Sequence, residues 1–178
     1  MEVFSLPVWL QNELDEAYSG PIDGDPFRIN HDCIQTLHEL RTRGYKLGLI
    51  SNTGRTSAIT QRRRMKDAGI LDFFETTVFS NEVGWRKPDR RIFSVAIEKL
   101  NATPGRIIHV GDNPYADIWG AKQMGMRAFQ FKYDVPGRFA KNPNSLLALS
   151  RASVPTVTAS VQPDGTILSL NEILKYLK

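Results

Sequence analysis

The sequence predicts an α/β fold, a parallel sheet with flanking helices, because short apolar runs alternate with segments of helical periodicity. Glycines mark most of the short connections, as is typical of strand–helix units. A length of 178 residues suits one domain of ordinary size. The contents of 41% hydrophobic and 24% charged residues are those of a soluble globular protein.

The first half of the chain predicts helices and strands in alternation. Cys33, Leu37 and Leu40 recur at helical spacing and Gly44 follows them, which indicates a helix over 31–43. The elements expected next are a buried strand over Tyr45–Ile50, a helix over 55–68 that closes at Gly69, and a strand over Thr76–Phe79.

The alternation continues in the second half. The loop Ser80–Pro88 carries Lys87, and Asp89 can cap the helix that follows it. The stretch Arg106–Met126 then joins a short apolar strand, through Gly111 and Asp112, to a helix that starts near Asp117 and ends at Gly125. A further strand is expected over Arg127–Phe131.

The two ends of the chain are less regular. Residues 1–27 contain one short helical pattern, which Ser19-Gly20-Pro21 stops. Near the C-terminus, Val154–Val161 is expected to be extended and Thr166–Leu170 to be a short strand. Asn171 is expected to cap a final helix.

Charge and composition argue against several classes of function. The net charge of +4 comes mainly from arginine clusters, and the triple arginine Arg62–Arg64 lies on a predicted amphipathic helix. We interpret it as a solvated helix face rather than a nucleic-acid interface. No apolar run is long enough to span a membrane, and no signal peptide is recognisable. The single cysteine, Cys33, favours a cytoplasmic setting.

Polar residues follow the predicted strands in a pattern that suits phosphoryl transfer. Ser51 and Asn52 follow one strand, Lys87 lies in the loop after the next, and Asp112 and Asp117 follow a third. The carboxyl ends of parallel strands meet at one edge of a sheet, where such folds bind ligands. A hydroxyl can hold phosphate, a lysine offsets its charge, and two acids suit Mg²⁺. The alternative is that Asp112 is an ordinary helix cap.

These segments resemble the haloacid dehalogenase (HAD) superfamily of hydrolases. The sequence LGLISNT is similar to the second motif of that family, RKPD to the third and HVGDNPYAD to the fourth. The resemblance implies a Rossmann-like core in which Ser51 binds the phosphoryl group, Lys87 stabilises it and Asp112 ligates Mg²⁺. Asp117 would be a second ligand or a partner of Lys87. Having both acids favours the metal-dependent phosphatases over the dehalogenases.

One motif of the family is not recognisable. Members begin with a strand that ends in Asp-x-Asp, the source of the nucleophile, and it lies centrally between the strands that end here at Ile50 and Val110. We interpret Asp23-Gly24-Asp25 as a turn, because only Ile22 separates it from Gly20-Pro21. Residues 1–27 resemble the remnant of a helical cap, and 28–178 the core with its central first strand missing.

Three arrangements are open for the missing strand. The two neighbouring strands can close up directly, the C-terminal extended segment can fill the gap, or the chain is a fragment or has a mis-assigned start, which we favour. The sequence therefore predicts the C-terminal part of a Mg²⁺-dependent phosphatase acting on a small phosphorylated metabolite, inactive as this isolated chain. The alternative is a non-catalytic phosphate- or partner-binding module. The oligomeric state stays open.

Overall fold

The computed structural model describes residues 29, 32–53, 56–132 and 161–177. Helices and strands alternate along most of this range, as the sequence predicts. The helices are α1 (Cys33–Thr42), α2 (Ala58–Asp67), α3 (Ser80–Val83), α4 (Arg90–Leu100) and α5 (Gly120–Gln123). The strands are β1 (Gly48–Ser51), β2 (Thr76–Phe79), β3 (Ile108–Gly111), β4 (Arg127–Phe131) and β5 (Gly165–Ile167). Short 3₁₀ helices span Leu71–Phe73, Pro104–Arg106 and Leu170–Tyr176, and a π-helical turn, Pro114–Trp119, leads into α5.

The strands form two parallel ladders. β1 pairs with β2, with Ile50 opposite Val78, and β4 lies between β3 and β5. Within the described part of the chain, no ladder joins β1 to β3. In the described residues β1 and β3 therefore do not pair directly with each other. Direct pairing was one of the three arrangements considered for the missing central strand.

Both ladders pack against one face of α4. Phe93 and Ala96 on this helix belong to the same apolar cluster as Val78 of β2 and Ala128 of β4, and Ile50 of β1 packs against it. A second cluster lies on the opposite face of β2, because successive strand residues point to opposite faces. Its buried members are Leu37, Ala58, Met65, Ile70 and Phe79. Helices therefore cover both faces of the sheet, as an α/β fold requires.

Several predicted boundaries are confirmed. β2 and β4 have the predicted bounds, and α1 and α4 lie where the sequence places them. Asp89 caps α4 by accepting a hydrogen bond from the backbone N–H of Arg91. Gly44 has a φ of +80° beyond the end of α1, a conformation that glycine adopts without strain.

Other boundaries differ for reasons that tertiary structure supplies. β1 begins at Gly48 rather than Tyr45, because Gly48 pairs with Thr76, the first residue of β2. The loop over 80–88 contains the one-turn helix α3. Asn171 lies inside the final 3₁₀ helix, whose N-cap position is Ser169, so it does not cap that helix. Its backbone N–H donates to Oδ2 of Asp32.

Some predictions concern segments that lie outside the described residues. These are the proposed cap remnant over 1–27, which includes Asp23-Gly24-Asp25, and residues 154–160 of the expected extended segment. Among the described helices, none has both the length and the apolar character that crossing a membrane needs.

Candidate active site

Lys87 connects the carboxyl ends of β1 and β3. Its Nζ donates to the carbonyl oxygen of Ile50, at 2.9 Å, and to Oδ1 of Asp117, at 2.6 Å. Successive backbone carbonyls along a strand point in opposite directions. The carbonyl of Leu47, three residues before Ile50, points towards β2, because it accepts a hydrogen bond from the backbone N–H of Glu75. The Ile50 carbonyl therefore points away from β2, on the side of β1 where the central strand is expected. The two ladders thus present their carboxyl ends at one edge.

The backbone of Lys87 is held by Asn52. The side-chain amide of Asn52 donates to the Lys87 carbonyl, at 2.9 Å, and its Oδ1 accepts from the Lys87 N–H, at 2.7 Å. The next residue, Thr53, is buried, and its N–H donates to Oγ of Ser80. These bonds tie the loop after β1 to the segment after β2. Asn52 therefore contributes to the site at least by positioning Lys87.

Ser51 is the last residue of β1 and is half-buried. No hydrogen bond to its hydroxyl is found among the described residues, whereas the neighbouring polar side chains of Asn52 and Thr53 are bonded within the protein. Of these three side chains, the Ser51 hydroxyl is therefore the one without a partner among the described residues. It lies one residue beyond Ile50, whose carbonyl binds Lys87.

Asp117 is the most buried of the predicted site residues, with 5% of its side chain exposed. Its Oδ1 bonds Lys87 and lies 3.3 Å from Nε2 of His109, and its Oδ2 accepts from the N–H of Asn113. Gly111 makes this position possible, because a Cβ there would lie only 2.6 Å from Oδ2 of Asp117. The sequence Gly-Asp at the end of β3 therefore includes a glycine with a steric role.

The surroundings of Asp117 keep it ionised. Burial is the largest influence and by itself would raise its pKa. The hydrogen bond from His109 and the positive charge of Lys87 oppose it, and together they lower the pKa of Asp117 well below its ordinary value of 3.8. Asp117 is thus an anion that neutralises Lys87 inside the fold.

The end of β3 is organised by two residues that sequence reasoning missed. Asn113 caps the π-helical turn, since its Oδ1 accepts from the N–H groups of Tyr115 and Ala116. It fills the capping role that was the alternative for Asp112. His109 lies between Asp117 and the ring of Phe93, which it meets edge-on with centroids 5.5 Å apart. The sequence did contain a signal for His109, because it is a polar residue in an otherwise apolar strand and lies on the same face as Gly111.

The donor set suits a hard divalent cation with few protein ligands. Asp112 lies directly beyond β3, and a carboxylate oxygen is the ligand type that Mg²⁺ prefers. Both oxygens of Asp117 already accept hydrogen bonds. In the described part of the chain, no cluster of three or more His, Cys, Asp or Glu side chains has the geometry of a metal site. Asp112 is thus the carboxylate that could hold such an ion, and the other ligands would come from water or phosphate.

Comparison with known proteins identifies the family. A family model described as haloacid dehalogenase-like hydrolase matches residues 7–125. The chain is 36% identical over 107 residues to the glyceraldehyde 3-phosphate phosphatase of Pyrococcus furiosus, covering 60% of this chain and 42% of that protein. It is 38% identical over 92 residues to the phosphoserine phosphatase of Thermus thermophilus, covering 52% and 36% of the two chains.

Solved structures agree with this assignment. A HAD phosphatase from Thermococcus onnurineus superposes with a TM-score of 0.64 at 29% identity, over 84% of this chain and 58% of that one. The chain thus spans about two-fifths of the two curated relatives named above, at 42% and 36% of their lengths. With the matching model covering most of the sequence and the site at the predicted sheet edge, the chain belongs to the haloacid dehalogenase-like hydrolases.

Proposed function

We propose that this chain is the C-terminal part of a Mg²⁺-dependent phosphatase that acts on a small phosphorylated metabolite. The observation that carries the proposal is the position of Lys87, whose Nζ lies between the end of β1 and Asp117. A buried ammonium that is bonded to the carbonyl one residue before Ser51, at a sheet edge, suits a phosphoryl group. The two relatives named above, phosphatases of glyceraldehyde 3-phosphate and of phosphoserine, support the substrate class.

Each described residue has a distinct task in this proposal. Ser51 donates its hydroxyl to a phosphate oxygen, and Lys87 offsets the negative charge of the phosphoryl group. Asp117 and Asn52 fix the ammonium and the backbone of Lys87, respectively. Asp112 would hold Mg²⁺, which supplies further neutralisation of the phosphate charge when bound.

The geometry favours one of the two roles considered for Asp117. Its Oδ1 accepts from Lys87 and lies 3.3 Å from Nε2 of His109, and its Oδ2 accepts from the N–H of Asn113, so three of its about four lone-pair positions are already used. We therefore assign metal binding to Asp112 first. Asp117 acts in this proposal as the residue that orients Lys87.

The isolated chain is proposed to bind phosphate without hydrolysing it, because no described residue fills the place of the family's first-motif nucleophile. Purified chain is incubated with p-nitrophenyl phosphate and Mg²⁺, and phosphate binding is followed by calorimetry. We expect no release of p-nitrophenol, and phosphate binding that Mg²⁺ strengthens in the wild type but not in Asp112→Asn. Hydrolysis that Asp112→Asn abolishes would overturn the proposed inactivity. Phosphate binding that is insensitive to both Mg²⁺ and the substitution would overturn the metal role.

A further inference from the structure

A groove of about 620 Å³ adjoins the candidate phosphoryl site. Its walls are the loop that carries Lys87 and the turn that follows Asp112, so both walls belong to segments that form the site. Tyr115 and Trp119 line one side, and Arg86 and Arg90 line the other.

The charges in the groove are not balanced. Lys87 is neutralised by Asp117 at 2.6 Å, and the groove's acid, Asp89, is neutralised by Arg91 at 2.6 Å. Within the described ranges, no ion pair to Arg86 or Arg90 is found, and Arg90 donates only to the neutral side-chain oxygen of Gln123. The groove therefore presents two positive charges beside the neutralised Lys87–Asp117 pair.

The opposite wall supplies apolar surface. The rings of Tyr115 and Trp119 stack with centroids 5.3 Å apart and an interplanar angle of 30°. Both are half-buried and project from the π-helical turn Pro114–Trp119, whose backbone is fixed by the Asn113 cap. Such a wall can cover the carbon skeleton of a ligand while the arginines opposite meet its polar end.

We propose that this groove is the leaving-group subsite and that Arg86 and Arg90 bind a second anionic group of the substrate. The inference rests on the proposed phosphoryl site and adds the substrate class: a phosphomonoester whose organic part carries a carboxylate or a second phosphate. The phosphoryl end lies at Ser51 and Lys87, and the second anion lies at the arginine wall. Neutral phosphomonoesters of the same size would lose this second contact.

The proposal is tested by comparing two ligands that differ in one group. Calorimetry with the full chain measures the affinities of 3-phosphoglycerate and glycerol 3-phosphate, which share the phosphoryl end and differ in a carboxylate against an alcohol. We expect 3-phosphoglycerate to bind about three- to tenfold more tightly at low salt, since the two cations are exposed and partly screened. The preference is expected to fall as salt rises.

Substitutions test whether the preference for 3-phosphoglycerate comes from Arg86 and Arg90. In the double variant Arg86→Gln/Arg90→Gln the ratio of the two affinities is expected to approach one, with binding of inorganic phosphate unchanged. Arg43→Gln is the matched control, because Arg43 is also an exposed arginine but pairs with Glu39 of α1 and does not line the groove. A ratio near one in the wild type, or an equal loss of the ratio in Arg43→Gln, would overturn the subsite.

Failure of the subsite is distinguishable from failure of the phosphoryl site. Lys87→Met is expected to weaken binding of both ligands and of inorganic phosphate. If Lys87→Met weakens all three while the wild type does not discriminate between the ligands, the phosphoryl site stands and the groove proposal falls. If Lys87→Met changes none of them, the phosphoryl site itself is refuted.

Discussion

Removal of either partner of the Lys87–Asp117 pair is expected to destabilise the fold substantially. The two side chains are 13% and 5% exposed, so either one left alone is a buried charge or an unmatched polar group. Breaking such a pair costs about 3–5 kcal/mol. Asp117 keeps its bonds to His109 and Asn113 when Lys87 is replaced, so we expect Lys87→Met to cost about 3 kcal/mol, the lower end of that range.

A double-mutant cycle measures the pair directly. Lys87→Met, Asp117→Asn and the double variant are unfolded with urea at pH 7 and followed by circular dichroism. Because the double variant leaves no uncompensated charge, its loss of stability is expected to be smaller than the sum of the single losses, by about 1–3 kcal/mol. The exposed pair Arg43–Glu39, with 44% and 43% exposure, is the control, and its coupling should be about 0.5 kcal/mol or less.

Additive effects at Lys87 and Asp117 would refute this reasoning. Such a result would mean that the ammonium and the carboxylate are each stabilised by other groups and do not depend on one another. A coupling no larger than that of the control pair would carry the same meaning. The role of Asp117 in orienting Lys87 would then have to be abandoned.

Further predictions concern the same sheet edge. Gly111→Ala should cost about 1–3 kcal/mol in urea unfolding, because its methyl group would collide with Asp117, whereas Gly105→Ala, with open space around it, should be nearly neutral. Asn52→Ala should destabilise by about 1–3 kcal/mol and weaken phosphate binding, because both of its bonds to the Lys87 backbone are lost. Since folding lowers the pKa of Asp117 below 3.8, its contribution is full above that pH and is lost as acid protonates the folded state. The free energy of unfolding of Asp117→Asn should therefore fall less than that of the wild type between about pH 5 and pH 2.

The meeting of Lys87 and Asp117 at one edge of the fold was predictable, because it follows from strand order. The segments carrying Ser51, Lys87 and Asp117 each follow a strand, and parallel strands place such segments at one edge. Pairing with Lys87 was one of the two roles that the sequence left open for Asp117. The bounds of β2 and β4 were also predictable, since short apolar runs with clear ends mark them.

The supporting contacts were not predictable, because they join residues far apart in the chain. The amide of Asn52 holds the Lys87 backbone across 35 positions, and nothing near Asn52 in the sequence indicates this partner. The capping role of Asn113 was missed, because the adjacent Asp112 is also of a residue type that caps helices. Only the placement of the π-helical turn decides for Asn113.

The central claim is that the edge formed by β1 and β3 binds a phosphoryl group through Lys87. The most direct measurement is a phosphorus NMR titration of the purified chain with inorganic phosphate, comparing the wild type with Lys87→Met and with Lys46→Met. Lys46 is the control, because its ammonium also donates to a backbone carbonyl, that of Leu100, at 3.0 Å. The account predicts that Lys87→Met weakens phosphate binding by about tenfold or more and that Lys46→Met leaves it unchanged. Equal affinities in all three proteins would contradict it.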